Sequence, residues 1–259
     1  AVEDATNLIT LDNTGGEDLA GNSGIGTTDS NNYAVDTQRP SGSIVVADTQ
    51  LTSGETTTVT ITFSEAVTGL TTADFTVANG SLSGLSSSDG GIIWTASLTP
   101  DAGVEDDSNL IILDNTGYSD GAGNAGSGTT DSNNYLIDTK APTVITRNIT
   151  VQLNGNGTVS IQPEQIDNNS TDGFGIASLT LSKSAFDCSN IGDNTVTLTV
   201  TDVNGNSEFA TAIVTVEDTT DPLVVTKNIT IQLDVTGNAS ITAADINNGS
   251  SDACGIASR

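Results

Sequence analysis

Residues 58–63 read TVTITF, with Val59, Ile61 and Phe63 separated by threonines. A strict period of two turns one apolar face toward a core and one hydroxyl-bearing face toward water, as a half-buried strand requires. The pattern recurs in TVTLTV at 195–200, with Val196, Leu198 and Val200, and again at Ala212, Val214 and Val216. Two NIT segments read the same way, one with Ile149, Val151 and Leu153, the other with Ile229, Ile231 and Leu233. Between these runs lie clusters of Gly, Asn and Asp, the residues that tight turns select. Short strands so punctuated predict an all-β sandwich or barrel. PEQIDNNS, from Pro163, predicts one helical turn, and Trp94 in GIIWTASL is expected to pack between sheets.

Two internal repeats organise the chain. VEDATNLITLDNTGGEDLAGNSGIGTTDSNNYAVDTQRP, from Val2, returns 102 positions later from Val104, with about two-thirds of positions identical. RNITVQLNGNGTVSIQPEQIDNNSTDGFGIAS, from Arg147, returns 80 positions later as KNITIQLDVTGNASITAADINNGSSDACGIAS. Four segments follow: 1–39, the C-terminal part of a first-type repeat; 40–141, a complete one; 142–221, a complete second-type repeat; and 222–259, the start of another. Pro40, Pro142 and Pro222 mark the junctions, and proline suits the first residue of an edge strand. Neither end piece has enough strands for independent stability, so the polypeptide is expected to continue in both directions. Repeats of 80 and 102 residues match immunoglobulin-like sandwiches in size, predicting tandem modules in an extended array.

Composition narrows the function. Six Lys and Arg face 33 Asp and Glu, a formal charge of −27, and the cations are scattered singly. Such a surface excludes nucleic-acid binding and disfavours anionic lipid. There is no His, which excludes Ser–His–Asp and Cys–His catalysis, and two cysteines cannot build a zinc site. No P-loop or dinucleotide fingerprint is present. Carboxylate pairs abound but read as a solvated acidic surface, and no apolar run approaches the ~20 residues of a membrane span. The chain is expected not to be an enzyme.

Calcium is the better fit to so many oxygen ligands. The junctions supply Asp36, Asp138, and Glu217 with Asp218 and Asp221, where a cation would neutralise repulsion and stiffen the joint. The loops Asp18 to Asn22 and Asp120 to Asn124, with Asp29 and Asp131, form a second candidate, although turn chemistry explains most of their residues. DVNGN at 202–206 mimics the start of an EF-hand loop, yet position 12 would be Ile213, so an Asn204-Gly205 hairpin turn is the reading. Tyr33 and Tyr135 occupy equivalent repeat positions and read as structural.

These segments carry a resemblance. VTITFSEAV, ADFTVANG, GGIIWTASLTP, DGAGNAG and NYLIDTKAP resemble the bacterial Ig-like repeats of large surface adhesins. NITVQL, DGFGIAS, TVTLTVTDVNGNSEFATAIVTVED and DACGIAS resemble the HYR-like repeats of secreted Bacteroidetes proteins. The combination is similar to the giant gliding-motility adhesins of that phylum (SprB-type), exported by the type IX system. The resemblance implies an extracellular, outer-membrane-anchored filament that serves attachment and gliding. Its partners would be the anchoring or motility machinery and an external surface or glycan. A ligand-binding sandwich module, or the accessory region of a large secreted enzyme, is the alternative. It also implies that a cysteine in the DACGI position accompanies one in the FDC position downstream within a repeat. In the complete repeat the first position is Phe174, so Cys188 lacks that partner, while Cys254 belongs to the next repeat. No disulfide between Cys188 and Cys254 is expected.

Overall fold

The computed structural model describes residues 2–258 and is built almost wholly of strands. It divides into two compact units, residues 1–139 and 140–259. Among the described residues no helix is long and apolar enough to cross a membrane.

The first unit opens with four short strands, β1 (Glu3–Asn7), β2 (Thr10–Asp12), β3 (Thr27–Asp29) and β4 (Tyr33–Asp36). β1 pairs antiparallel with β4, and β2 with β3. Next come β5 (Gly42–Val46), β6 (Gln50–Thr52), β7 (Thr57–Phe63), β8 (Phe75–Val77), β9 (Gly80–Ser87) and β10 (Ile93–Pro100). The unit closes with β11 (Glu105–Asn109), β12 (Ile111–Asp114), β13 (Thr129–Asp131) and β14 (Tyr135–Asp138). One sheet runs β5-β7-β10-β9; the other side is made of β11-β14-β6 and β13-β12-β8, in which β6 lies parallel to β14.

The period-two reading of β7 holds: Val59, Ile61 and Phe63 are buried and join Leu51, Leu98, Ile111, Leu113, Tyr135 and Ile137 in one core. Trp94 is half-buried against this core, and its indole N–H donates to the Gly91 carbonyl at 3.1 Å. Tyr118 fills the end of the core, its ring 4.6 Å from that of Phe63.

β11 to β14 repeat β1 to β4 pair for pair. Glu105 faces Asp138 as Glu3 faces Asp36, and Leu113 faces Thr130 as Leu11 faces Thr28. Their surroundings differ. Leu113 and Tyr135 are fully buried, whereas Leu11 and Tyr33 are exposed, because only the second copy is covered by β6, β8 and the sheet beyond. The strand pairs are thus the same in both copies, and their burial differs.

The second unit contains β15 (Ile149–Gln152), β16 (Thr158–Ser160), α1 (Pro163–Ile166), β17 (Ile176–Leu181), β18 (Ala185–Asp187), β19 (Gly192–Asp202) and β20 (Ser207–Glu217). Its main sheet runs β15-β20-β19-β17, with β15 parallel to β20, and β16 pairs with β18. Val196, Leu198, Val200, Ala212, Val214 and Val216 form the core with Leu153, Ile161, Ile166 and Phe186. The single helical turn expected at Pro163 is α1, with proline in the first turn, where its missing N–H costs nothing.

The second NIT segment departs from expectation: Ile229, Ile231 and Leu233 lie outside any strand and are exposed. A strand exists only through its partner, and β15 is held by β20; residues 227–233 have no such neighbour among the described residues. What recurs there are two bridges and a helical turn. Leu223 pairs with Ser251 and Thr226 with Asn247, as Thr143 pairs with Thr171 and Thr146 with Asp167, and α2 (Ala243–Ile246) matches α1.

Candidate cation sites

In the Asp-x-x-Gly-Asn loops the carboxylates accept hydrogen bonds from their own turns. Asp120 Oδ1 accepts the backbone N–H groups of Ala122 and Asn124 at 2.9 and 2.8 Å, and Oδ2 accepts the Asn124 amide at 2.8 Å. Asp18 with Asn22, and Asp202 with Asn206, make the same three bonds. In each loop the Gly adopts positive φ, 82° at Gly21, 89° at Gly123 and 93° at Gly205. This is a three-residue hairpin loop closed by a left-handed glycine. Asn204-Gly205 is thus part of a turn between β19 and β20, as the sequence reading had it, in a three-residue form.

These bonds favour the ionised carboxylates. The Asn22 side chain holds the Asp18 carboxyl below its ordinary range. Burial works against the Asp120 anion, but the Asn124 and loop N–H bonds outweigh it and lower its pKa too. Asp29 accepts from Thr10 Oγ1 at 2.6 Å and Asp131 ends β13, so each belongs to its strand.

The predicted junction residues separate into distinct surroundings. Asp36, at the end of β4, lies with Glu65 and Asp120 so that one carboxylate oxygen from each falls within 4.8 Å of the others. The linker is tied to the Asp120 loop: the Asn124 amide donates to the Asp36 carbonyl at 3.2 Å, and Arg39 donates to the Ala125 carbonyl at 2.8 Å. Burial pushes the Glu65 carboxyl above its ordinary range, and the charges of Asp120, Asp36 and Glu3 push it further. The donor set is all oxygen, three carboxylates, which fits a hard divalent ion completed by water. Glu65 escaped the sequence reading because it follows β7, 29 positions from Asp36, with no motif spacing linking them.

Asp138 closes β14, buried, opposite Glu105 on one side and level with Thr52 on the other. Glu217, Asp218 and Asp221 do not converge. Glu217 accepts from the Gln152 amide at 2.6 Å, Asp221 is exposed, and Asp218 approaches Asp252 and Cys254 instead. Cys254 offers no thiolate there, because it is bonded to Cys188.

That bond corrects the expectation of no disulfide. The two Cα atoms are 5.2 Å apart within the second unit, and both side chains pack on its core. Segment 222–258 folds back so that its Asp252 turn meets the tip of the preceding repeat, where Gly157 lies against both Cys188 and Ala253. The cysteines lie in successive sequence repeats, but repeat identity does not keep two segments apart in space.

Tyr118 and Tyr135 are structural. Burial, then Asp106, pushes the Tyr135 phenol up to about 12, and its hydroxyl donates to the Ala78 carbonyl at 3.2 Å. An apolar hollow of about 200 Å³ among Pro222, Val224, Ala243 and Ile246 matches positions that the preceding repeat uses for its core, Ile166 among them.

Residues 36–137 match the family described as Bacterial Ig-like domain (Big_12). No curated protein matches the chain in sequence. Among solved structures, the Yersinia pseudotuberculosis adhesin InvE is similar at 17% identity and TM-score 0.31, covering 67% of this chain and 58% of that one. The Escherichia coli adhesin FdeC is similar at 13% and 0.30, covering 68% and 46%. A Ca2+-stabilized adhesin that helps an Antarctic bacterium reach out and bind ice is similar at 17% and 0.41, covering 78% and 55%. The chain thus spans roughly half the length of these structures, and similarity at this level makes no statement about function.

Proposed function

We propose that this chain is a structural segment of a cell-surface adhesin, a row of β-sandwich modules that holds an adhesive part away from the cell. The observation that carries the reading is modular duplication. The same strand pairs recur in the same register in successive first-type repeats, one of which matches a bacterial Ig-like domain. Duplication adds length without adding a new site. The acid excess keeps such modules soluble and apart, at the cost of self-repulsion that cations would relieve. Anchoring at the outer membrane and a part in gliding extend the same proposal and rest on the motif resemblance.

Antibodies raised against the purified chain should label intact cells of the source organism, and shaving those cells with protease should abolish the signal. Labelling only after permeabilisation would sink the surface reading.

Calcium belongs to this proposal at Asp36, Glu65 and Asp120. Thermal unfolding of the full chain should show a midpoint raised by calcium and lowered by chelator, with the shift largely lost in Asp36→Asn. An unchanged midpoint in calcium and chelator would remove the ion from the account.

A further inference from the structure

We propose that the Cys188–Cys254 bond is a tension-bearing clasp that carries load from one second-type repeat to the next and leaves the intervening chain slack. The inference rests on the stalk reading for its biological setting, but its physical content stands on connectivity alone.

Cys188 opens a short helical turn capped by Asp187, whose carboxylate accepts from Ser189 N–H at 2.9 Å. Cys254 sits in the turn begun by Asp252, whose carboxylate accepts the Cys254 N–H at 2.7 Å. The corresponding turn of the complete repeat is begun by Asp172 and carries Phe174, so that repeat holds no cysteine for Cys188 to pair with internally. The bond therefore joins two successive copies, and encloses the chain between ends that are 66 positions apart.

Those positions contain the strands that matter most to the unit. β19 and β20 supply six of its buried core residues. β20 is also the strand against which β15 lies parallel, through four register pairs from Ile149–Val214 to Gln152–Glu217. Without the bond, tension arriving before β15 and leaving after β20 pulls on opposite ends of this parallel pair and shears it. With the bond, the covalent path runs from β15 through β18 to Cys188 and crosses to Cys254. β19, β20 and the acidic linker at 217–222 drop out of the path.

Pulling the full chain by handles at its two ends in a single-molecule instrument tests this. The oxidised chain should release less length on unfolding than the chain in dithiothreitol. That reagent reduces the bond to two thiols while closing to its own cyclic disulfide. The difference should be about 230 Å, the extended length of the enclosed segment. Cys254→Ser, which alters a half-exposed turn rather than the β19–β20 core, should show the longer release without reductant. Equal release with and without dithiothreitol overturns the clasp, as does alkylation of both cysteines in the unreduced chain. Surface labelling of cells is independent of this readout, so failure of the stalk reading and failure of the clasp are separately visible.

Discussion

The Asn79 amide donates to Asn109 Oδ1 at 2.8 Å, and Asn109 returns its own amide to the carbonyls of Asp106 and Tyr135 at 3.0 and 3.1 Å. Asn109 is completely buried, and Asn79 holds a left-handed backbone, φ 53°, to reach it. Alanine at 109 removes the partner of the buried Tyr135 carbonyl and of the part-buried Asn79 amide and Asp106 carbonyl, and a buried group costs roughly 1–3 kcal/mol when its partner is lost. Urea unfolding of Asn109→Ala should show a loss of about 3 kcal/mol in the first unit. Asn7 makes the equivalent bonds to Asp4 and Tyr33 at an open site, and Asn7→Ala should change stability by less than about 0.5 kcal/mol.

Leu113 and Leu11 give the apolar version of that comparison. The first is fully buried and the second 63% exposed at the same repeat position. Leu113→Ala should cost about 2–5 kcal/mol, as deletions in closed cores do. Leu11→Ala should fall within about 0.5 kcal/mol of the parent chain by the same unfolding assay.

Glu65 predicts a pH dependence whose sign is set by its raised pKa. The folded state holds this proton more tightly than the unfolded one, so ionising Glu65 destabilises the fold. The stabilising effect of protonation is complete below the unfolded value of 4.5 and is lost as pH rises through the folded pKa. In chelator at pH 7, Glu65→Gln should therefore raise the unfolding midpoint, and the gain should vanish below pH 4.5. Asp120 runs oppositely: its lowered pKa gives stability that is present above 3.8 and lost as pH falls through the folded value. A midpoint lowered by Glu65→Gln at neutral pH without calcium would contradict the repulsion described for this cluster.

Gly157 is fixed by two demands at once. Its φ is +71°, and a Cβ there would lie 2.7 Å from Cys188 Sγ. Gly157→Ala should slow closure of the disulfide, read as a larger alkylated fraction after refolding in air. Reduction itself removes the restraint on a loop spanning 66 positions, worth about 4 kcal/mol on the chain-entropy estimate, and should lower the unfolding midpoint of the second unit.

Legibility followed the range of the interaction. Val59, Ile61 and Phe63 could be placed from their spacing because burial in a strand depends on parity. The glycine turns were equally readable, since Asp202, Gly205 and Asn206 carry their hydrogen bonds within five residues. Asp36 was found by its place beside a junction, but Glu65 joins it only after β7 and β4 have been positioned, and nothing local encodes that meeting. The Ile229 segment has a genuine alternation, but a strand also needs a partner, and none of the described residues pairs with it. Cys188 and Cys254 meet although they lie in successive repeats, because a unit of sequence is not also a unit of space.

Tyr118 has a counterpart 102 positions earlier, and that counterpart is Gly16. The two tails that begin at Val2 and Val104 share about two-thirds of their residues, yet of the two the later one carries the ring set against Phe63. The Phe63–Tyr118 contact is thus one that the near-copy, with Gly16 in that place, has no side chain to make.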